Sequence, residues 1–314
     1  MNATEWSKKI QNGDKLALSR AITAVESESN VGKEILSKIY SMTGNAKTIG
    51  FTGSAGVGKS TLVRAVIKEA IERGKKTAVI AIDPSSPFSE GAILGDRIRM
   101  QDLTNNELVF IRSMASRKGL GGVAASSVNV MHLFDAAGFD NIIIETVGAG
   151  QDEVDIVNIA QTTVIVVNPS AGDEIQSMKS GLMEIGQIFV VNKSDLPGSD
   201  AAIAHINALI NLASHAEWQP PALKVIAQNE TGIKELVDAI DDHQFFLRQN
   251  SNWPVHKKMM AKRQVQSLIK SISYADLLDR LSNNQATEEI IQKVADGKLD
   301  PISAAETIFN KFNN

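Results

Sequence analysis

One run of eight residues, Gly53-Ser54-Ala55-Gly56-Val57-Gly58-Lys59-Ser60, restricts the possible fold more than any other feature of the chain. It follows an apolar run at residues 48–52 and fits the pattern G-x-x-x-x-G-K-[ST], which joins a strand to a helix. In that arrangement backbone N–H groups converge on phosphate oxygens, and the positive end of the helix dipole adds to them. A glycine-rich turn alone needs neither Lys59 nor Ser60 at these places. The run, with Thr61 after it, therefore predicts a nucleotide phosphate site in which Lys59 supplies charge for binding and catalysis and Ser60 binds Mg²⁺.

A second motif, Asn192-Lys193-Ser194-Asp195, follows the apolar run at residues 188–191 and fits the pattern N-K-x-D. The carboxylate of Asp195 can accept hydrogen bonds from N1–H and the 2-amino group of guanine. Adenine has no donor at either position and would leave the carboxylate unpaired, at a cost of about a few kcal/mol. The motif therefore predicts a guanine nucleotide, GTP or GDP, although a polar loop after a strand is the simpler alternative. Ala227, just after the run at residues 223–226, is a further predicted nucleotide-binding position.

Composition excludes several other classes of protein. The net charge is −4 and the basic residues are scattered, so we expect no nucleic-acid partner. Cysteine is absent, which excludes disulfides and thiolate metal sites. The first residues lack an apolar signal segment, and no apolar run approaches the length of a membrane span, so we expect a soluble, cytoplasmic protein with no membrane partner.

Short runs rich in Ile and Val alternate with helical patterns through the middle of the 314-residue chain. These runs lack polar alternation, as strands buried on both faces do. They predict an α/β fold, a doubly wound and mainly parallel sheet of the P-loop NTPase type, with ligands at the carboxyl ends of the strands. The strand-like runs occupy residues 48–52, 77–82, 108–111, 141–144, 163–167, 188–191 and 223–226.

The two ends of the chain have helical spacing instead. Apolar stripes before residue 44 predict two helices, and those after residue 242 predict a helical C-terminus. The expected organisation is an N-terminal helical arm at 1–46, a P-loop GTPase domain at 47–245 and a C-terminal helical extension at 246–314. The C-terminal stripes, which include Val265, Ile269 and Ile272, fit either packing on their own domain or a dimer seam, and the sequence leaves both open.

Acidic residues follow two of the strand-like runs. Asp83 and Glu145 end such runs, and Asp96 is a third candidate for holding Mg²⁺, directly or through water. A helix cap or a solvated strand end is the alternative for each acid. The backbone N–H of Gly148 is placed to sense a γ-phosphate, and its glycine-rich loop could act as a switch. Gln151 fits either a residue that orients water or an ordinary loop glutamine.

Several segments together resemble one family, the GTPase chaperones of adenosylcobalamin-dependent methylmalonyl-CoA mutase. The similarity covers most of the chain and is looser at the C-terminus. Besides the two nucleotide motifs, the similar segments are Asp83-Pro84-Ser85-Ser86, Ile93-Leu94-Gly95-Asp96, Leu120-Gly121-Gly122, Ala136-Ala137-Gly138-Phe139-Asp140 and Ile144-Glu145-Thr146-Val147-Gly148.

The resemblance implies a homodimeric GTPase that binds an adenosylcobalamin-dependent acyl-CoA mutase and couples GTP hydrolysis to the loading and protection of its cofactor. It also implies that Asp83, Asp96 and Glu145 belong to the Mg²⁺ environment. Arg99 and Lys179 become candidates for stabilising transition-state charge once the partner docks; considered alone, both would be surface charges. The sequence departs from the family at Glu90, Ala92 and Asp152, which affects the expected switch details and hydrolysis rate more than nucleotide binding.

Two other functions compete with this interpretation. A metallochaperone GTPase of the nickel-insertion type would be expected to carry Cys or His ligands near its switch region, and cysteine is absent. A kinase acting on a transport protein disagrees with the guanine motif. The chain also lacks the D-x-H-x-x-G motif of cobalt-ligating mutases, so we do not expect it to hold cobalamin by itself.

Overall fold

The structure is a computed structural model, and it describes residues 2–84, 100–116, 122–146, 159–169, 182–213, 217–249, 253–282 and 285–313. The chain forms two compact units. Among the described residues, the first unit extends to Gln264 and the second begins at Val265. The phosphate loop and the N-K-x-D motif both belong to the first unit.

A seven-stranded sheet forms the centre of the first unit, with the order β3-β2-β4-β1-β5-β6-β7. All of its strand pairs are parallel, which confirms the predicted fold class. Strand β1 is flanked by β4 and β5, and the chain winds outward on both sides of it, so the carboxyl end of β1 lies where such folds bind ligands. The strands are β1 Lys47–Thr52, β2 Thr77–Pro84, β3 Val109–Ser116, β4 Asn141–Thr146, β5 Thr162–Val167, β6 Ile188–Val191 and β7 Ala222–Lys224.

Helices cover both faces of this sheet. Successive strand residues point to opposite faces, so Ile142 and Ile144 of β4 join one hydrophobic cluster while Ile143 between them joins the other. The α-helices described between β1 and residue 249 are α4 Lys59–Glu72, α5 Gly122–Ala136, α6 Leu182–Ile185, α7 Ser199–Ala213 and α8 Ile233–Gln249. Helices α4 and α8 cover the face that contains Ile143, and α5 covers the opposite face.

The N-terminal segment forms three helices, α1 Ala3–Gln11, α2 Lys15–Glu26 and α3 Asn30–Ile39, so the prediction of two helices was wrong. Helix α1 begins with a capping box of two reciprocal hydrogen bonds. The side chain of Asn2 accepts from the backbone N–H of Glu5, and the carboxylate of Glu5 accepts from the backbone N–H of Asn2. Its buried face is made of small or polar residues with one large apolar side chain, Ile10, and such a face gives a weak periodic signal. All three helices contribute to the cluster that contains strand residue Ile80, and they form an additional layer of the first unit.

Helix α9, Trp253–Ser282, continues from the first unit into the second, which also contains α10 Gln285–Ala295 and α11 Pro301–Asn313. Helices α10 and α11 pack against each other. The carboxylate of Asp300 accepts hydrogen bonds from Ile302 N and Ser303 N at the start of α11, both at 3.0 Å. None of the helices described has the length and apolar character needed to cross a membrane.

Candidate functional site

The phosphate loop connects the carboxyl end of β1 to the amino end of α4, as its sequence predicts. Gly53 has a φ of +145°, and a Cβ built there would lie 2.1 Å from the carbonyl oxygen of Val166 on β5. Only glycine allows the loop to pass this close to the neighbouring strand. Gly58 is the N-cap residue of α4, so this helix begins at the end of the phosphate loop. The positive end of its dipole therefore lies at the loop, as an anion site requires.

Lys59 lies within this loop, where its side chain is only 6% exposed. Its ammonium group donates hydrogen bonds to the carbonyl oxygens of Gly53 and Ser54, the latter at 2.9 Å. A buried ammonium group needs such acceptors, because burial without them carries a large desolvation cost. The loop thus holds a positive charge beside the N–H groups of α4, which is the electrostatic environment that a polyphosphate needs.

Ser60 and Glu145 come together although 85 positions separate them in the chain. The hydroxyl of Ser60 donates to Oε1 of Glu145 at 2.6 Å, and both side chains are buried. Glu145 reaches this point because β4 lies between β1 and β2, where it is in register with Phe51 and Ala81. A hydroxyl that donates its proton to a carboxylate keeps its oxygen lone pairs, which are what a cation binds. The pair is therefore a suitable oxygen ligand set for Mg²⁺.

Of the remaining predicted acids and switch residues, the structure describes Asp83. Asp83 lies near the carboxyl end of β2, in register with Ala115 of β3, two residues beyond the strand position that pairs with Glu145. This places the Asp83 backbone at the same edge of the sheet as the phosphate loop. The other predicted residues of this group lie outside the described residues: Asp96, Arg99, Gly148, Gln151 and Lys179.

Asn192 connects the two nucleotide motifs to each other. Its side chain is 2% exposed; Nδ2 donates to Val57 O in the phosphate loop at 2.9 Å, and Oδ1 accepts from Ala227 N at 3.1 Å. A Cβ on Gly58 would lie 2.5 Å from this Nδ2 atom. Asn192 therefore braces the phosphate loop against the segment after β7. The sequence pattern could not show this role, because its two partners are backbone atoms that any residue carries.

The other two residues of the N-K-x-D motif lie on the surface. Lys193 has a φ of +56°, and its ammonium group donates to Gly56 O at 2.9 Å, so its side chain crosses over the phosphate loop. Asp195 is exposed on the same loop. The N–H of Ser194 donates to Val225 O at 3.1 Å, which fixes the loop beside the end of β7. The structure thus brings together Lys59, Ser60, Glu145 and the N-K-x-D loop at one edge of the sheet.

This combination of a phosphate loop after β1, a buried acid at the end of β4 and an N-K-x-D loop after β6 defines a P-loop protein that binds guanine nucleotides. The model of the family described as methylmalonyl-CoA mutase-associated GTPase MeaB matches residues 18–286 of the chain. The protein belongs to this family and is a GTPase.

Curated proteins and solved structures agree with this assignment. A putative GTPase of Pyrococcus abyssi is 42% identical over 312 residues, which cover 98% of this chain and 96% of the relative. The Mus musculus protein named methylmalonic aciduria type A homolog, mitochondrial, is 29% identical over 330 residues, covering 97% of this chain and 78% of that protein. Among solved structures, a LAO/AO transport system kinase superimposes with a TM-score of 0.69 at 25% identity, covering 99% of this chain and 98% of the other.

Proposed function

We propose that this GTPase binds an adenosylcobalamin-dependent acyl-CoA mutase, methylmalonyl-CoA mutase or a related enzyme, and uses GTP hydrolysis to gate the loading and protection of its cofactor. The observation that carries the proposal is the match to the mutase-associated GTPase family over residues 18–286. In this proposal the nucleotide state of the protein controls its partner, and the product of the reaction is a change in conformation.

The described residues support specific roles toward GTP. The backbone N–H groups of residues 53–61 would hold the phosphates, and Lys59 would exchange its contacts with Gly53 O and Ser54 O for phosphate oxygens. Asp195 would read the guanine edge. Asn192 would act indirectly, by keeping the phosphate loop and the Ala227 segment at a fixed separation.

Mg²⁺ fits the oxygen ligands present at the edge of the sheet. In the proposed site, Ser60 holds the ion directly, while Asp83, Asp96 and Glu145 hold it directly or through water. When bound, Mg²⁺ neutralises charge on the phosphates. The buried hydrogen bond between Ser60 and Glu145 keeps the serine hydroxyl oriented for this role.

Hydrolysis would depend on cations that the partner helps to position. We assign Arg99 and Lys179 to this role because the family resemblance places both in switch segments. A cation that reaches the γ-phosphate only in the complex makes turnover slow in the free protein and faster with the mutase. Gly148 would sense the γ-phosphate, and the role of Gln151 stays open.

The homodimer and the cytoplasmic location are further parts of the proposal. Helix α9 presents Val265, Ile269 and Ile272 at spacings of four and three residues, so they share one face, and they are 54%, 57% and 66% exposed. An apolar stripe of this kind fits a seam with a second copy of the chain. A metal-insertion role would have to do without cysteine ligands, because the chain contains no cysteine.

Two measurements test the proposal. Lys59→Ala should abolish tight GTP binding in calorimetry, while Lys33→Ala, which removes an exposed lysine from α3, should bind GTP normally. GTP turnover should rise at least about tenfold on addition of the cognate mutase, and Lys179→Ala or Arg99→Ala should remove most of that rise without changing the basal rate. Equal turnover with and without the mutase, at protein concentrations that saturate any complex, would contradict the proposed partner.

A further inference from the structure

A cavity of about 710 Å³ lies in the first unit, at the amino-terminal ends of β5 and β6. Its volume falls within the range of small-molecule sites. Thr163 near the start of β5 lines it, whereas Val166 on the same strand approaches the phosphate loop. Three residues of strand span about 10 Å. The cavity is therefore separate from the nucleotide site, which lies at the opposite ends of the strands.

Large apolar side chains form one wall of this cavity. Phe189 of β6, Trp218, and Met259 and Met260 of α9 all line it. Trp218 is held in place by a hydrogen bond from its indole N–H to Gln187 O at 2.9 Å, and its ring makes an edge contact with His243 at 4.8 Å between centroids. The methionines are unbranched and polarisable, so they can adjust to the shape of an apolar guest. This wall suits a bound molecule whose main part is aliphatic or aromatic.

Polar groups on the cavity lining lack partners within the protein. In the part of the chain that the structure describes, Nε2 of His256 and Oγ1 of Thr163 are buried without a hydrogen bond. Buried polar atoms are rarely left in this state, because each lost hydrogen bond costs free energy. A polar group of a bound molecule would supply the missing partners.

The charge of the lining decides which polar group fits. Arg263 of α9 lines the cavity, is partly buried, and lies close enough to His256 for its charge to lower the pKa of that histidine, after the larger effect of burial. No hydrogen bond or ion pair holds Arg263 among the described residues. The negative charge on the lining comes from Glu184 of α6. Glu184 is exposed, so water screens its charge more strongly than it screens the partly buried charge of Arg263.

His243 adds a neutral imidazole to the same lining. Burial, and then the neighbouring His256, lower the pKa of His243 to about 4, so its ring is neutral at pH 7. Nδ1 of this ring contacts Oγ1 of Thr162 at 2.8 Å, and that oxygen also accepts from Gln244 Nε2 at 2.8 Å. The hydroxyl has one proton and two lone pairs, so it can accept from the amide while it either donates to Nδ1 or accepts from Nδ1–H, and the tautomer of His243 decides between the two.

We propose that this cavity binds an amphipathic organic anion, with an apolar body against Phe189, Trp218 and Met259 and a carboxylate or phosphate head at Arg263 and His256. The guanidinium group supplies charge-assisted hydrogen bonds to the head, and the apolar wall excludes water from the body. The site is independent of the partner and of the nucleotide chemistry proposed above.

Three probes with the same eight-carbon body test the charge preference: sodium octanoate, 1-octanol and octylamine, each titrated calorimetrically below its aggregation concentration. Octanoate should bind at one molecule per chain and at least about tenfold more tightly than the other two, since a hydrogen bond to a charged group is worth at least that factor. Sodium phosphate and acetate, which lack the body, should not bind here. Absence of saturable octanoate binding, or equal binding of octylamine, would overturn the proposal.

Variants then locate the site. Arg263→Gln should weaken octanoate about tenfold or more and leave octanol unchanged, whereas Lys262→Gln removes a neighbouring exposed charge and should change neither. Met259→Trp should block all three probes by filling the cavity. GTP affinity should be normal in every variant, which verifies folding and separates this test from that of the proposed function. Octanoate binding that survives both Arg263→Gln and Met259→Trp would show that the anion binds elsewhere.

Discussion

Replacement of Asn192 by alanine should destabilise the protein strongly even without nucleotide. The Asn192 side chain makes two hydrogen bonds to buried backbone atoms, the carbonyl of Val57 and the N–H of Ala227. Both of these residues are buried, at 1% and 5% exposure, so water cannot replace the lost partner. The variant therefore leaves one acceptor and one donor unsatisfied at the junction of the phosphate loop and the post-β7 segment.

The magnitude follows from these two bonds. A buried polar group left without a partner costs about 1–3 kcal/mol, so the two together cost about 2–6 kcal/mol. This is a large part of the roughly 5–15 kcal/mol that holds a typical domain folded. Asn192→Asp keeps the acceptor for Ala227 N but places a carboxylate against Val57 O, so it should lose the other bond and add repulsion. The aspartate variant should therefore also be destabilised, by one lost hydrogen bond and one repulsive contact instead of two lost hydrogen bonds.

Urea unfolding in nucleotide-free buffer measures this effect. Asn207→Ala is the matched control, because it removes the same side chain from an exposed position on α7 and should change the free energy of unfolding by less than about 0.5 kcal/mol. GTP affinity of Asn192→Ala, measured by calorimetry below the unfolding range, should also fall. If Asn192→Ala unfolds at the same urea concentration as the wild type and loses only GTP affinity, the residue contacts the nucleotide directly and the bracing role is wrong.

Three further changes test other parts of the site and core. Gly53→Ala forces a Cβ against the backbone of β5, where 2.1 Å is available, so it should cost at least about 2 kcal/mol in urea unfolding and weaken GTP binding; wild-type values for both would refute the close approach. Asp195→Asn should shift preference from GTP to XTP, because the amide can donate to the 2-oxo group of xanthine; a hydrolysis assay in which the variant still prefers GTP would contradict base reading by this residue. The pKa of His243 is held at about 4 in the folded chain against 6.5 as the ordinary value, so between these values only the unfolded chain binds the proton and stability rises with pH. The free energy of unfolding should thus fall by about 3 kcal/mol as pH drops from 6.5 to 4. Urea titrations at several pH values measure this dependence. His243→Gln should reduce the dependence of unfolding free energy on pH, whereas His205→Gln, at an exposed position, should leave it unchanged.

The sequence alone was enough to predict the strands and the fold class, and it named the residues expected at the nucleotide site. Each buried strand is a short β-branched run, and each nucleotide motif is a set of neighbours along the chain, so both are local signals. Lys59, Ser60 and Glu145 were predicted for one site and lie together in the structure, because the carboxyl ends of parallel strands share an edge. Helix α1 escaped prediction because its buried face carries Ala3 and Ser7 with only one large apolar residue.

Only the tertiary structure decided how these local pieces meet. The order that puts β4 beside β1, and so brings Glu145 to Ser60, depends on packing between segments 85 residues apart. The bracing by Asn192 is likewise invisible in the sequence, since its partners are backbone atoms whose positions follow from the whole sheet. The cavity beside Arg263 is a gap between several elements, and a gap has no residue pattern of its own. Local chemistry is encoded in short stretches of chain, whereas such contacts and voids arise from long-range packing.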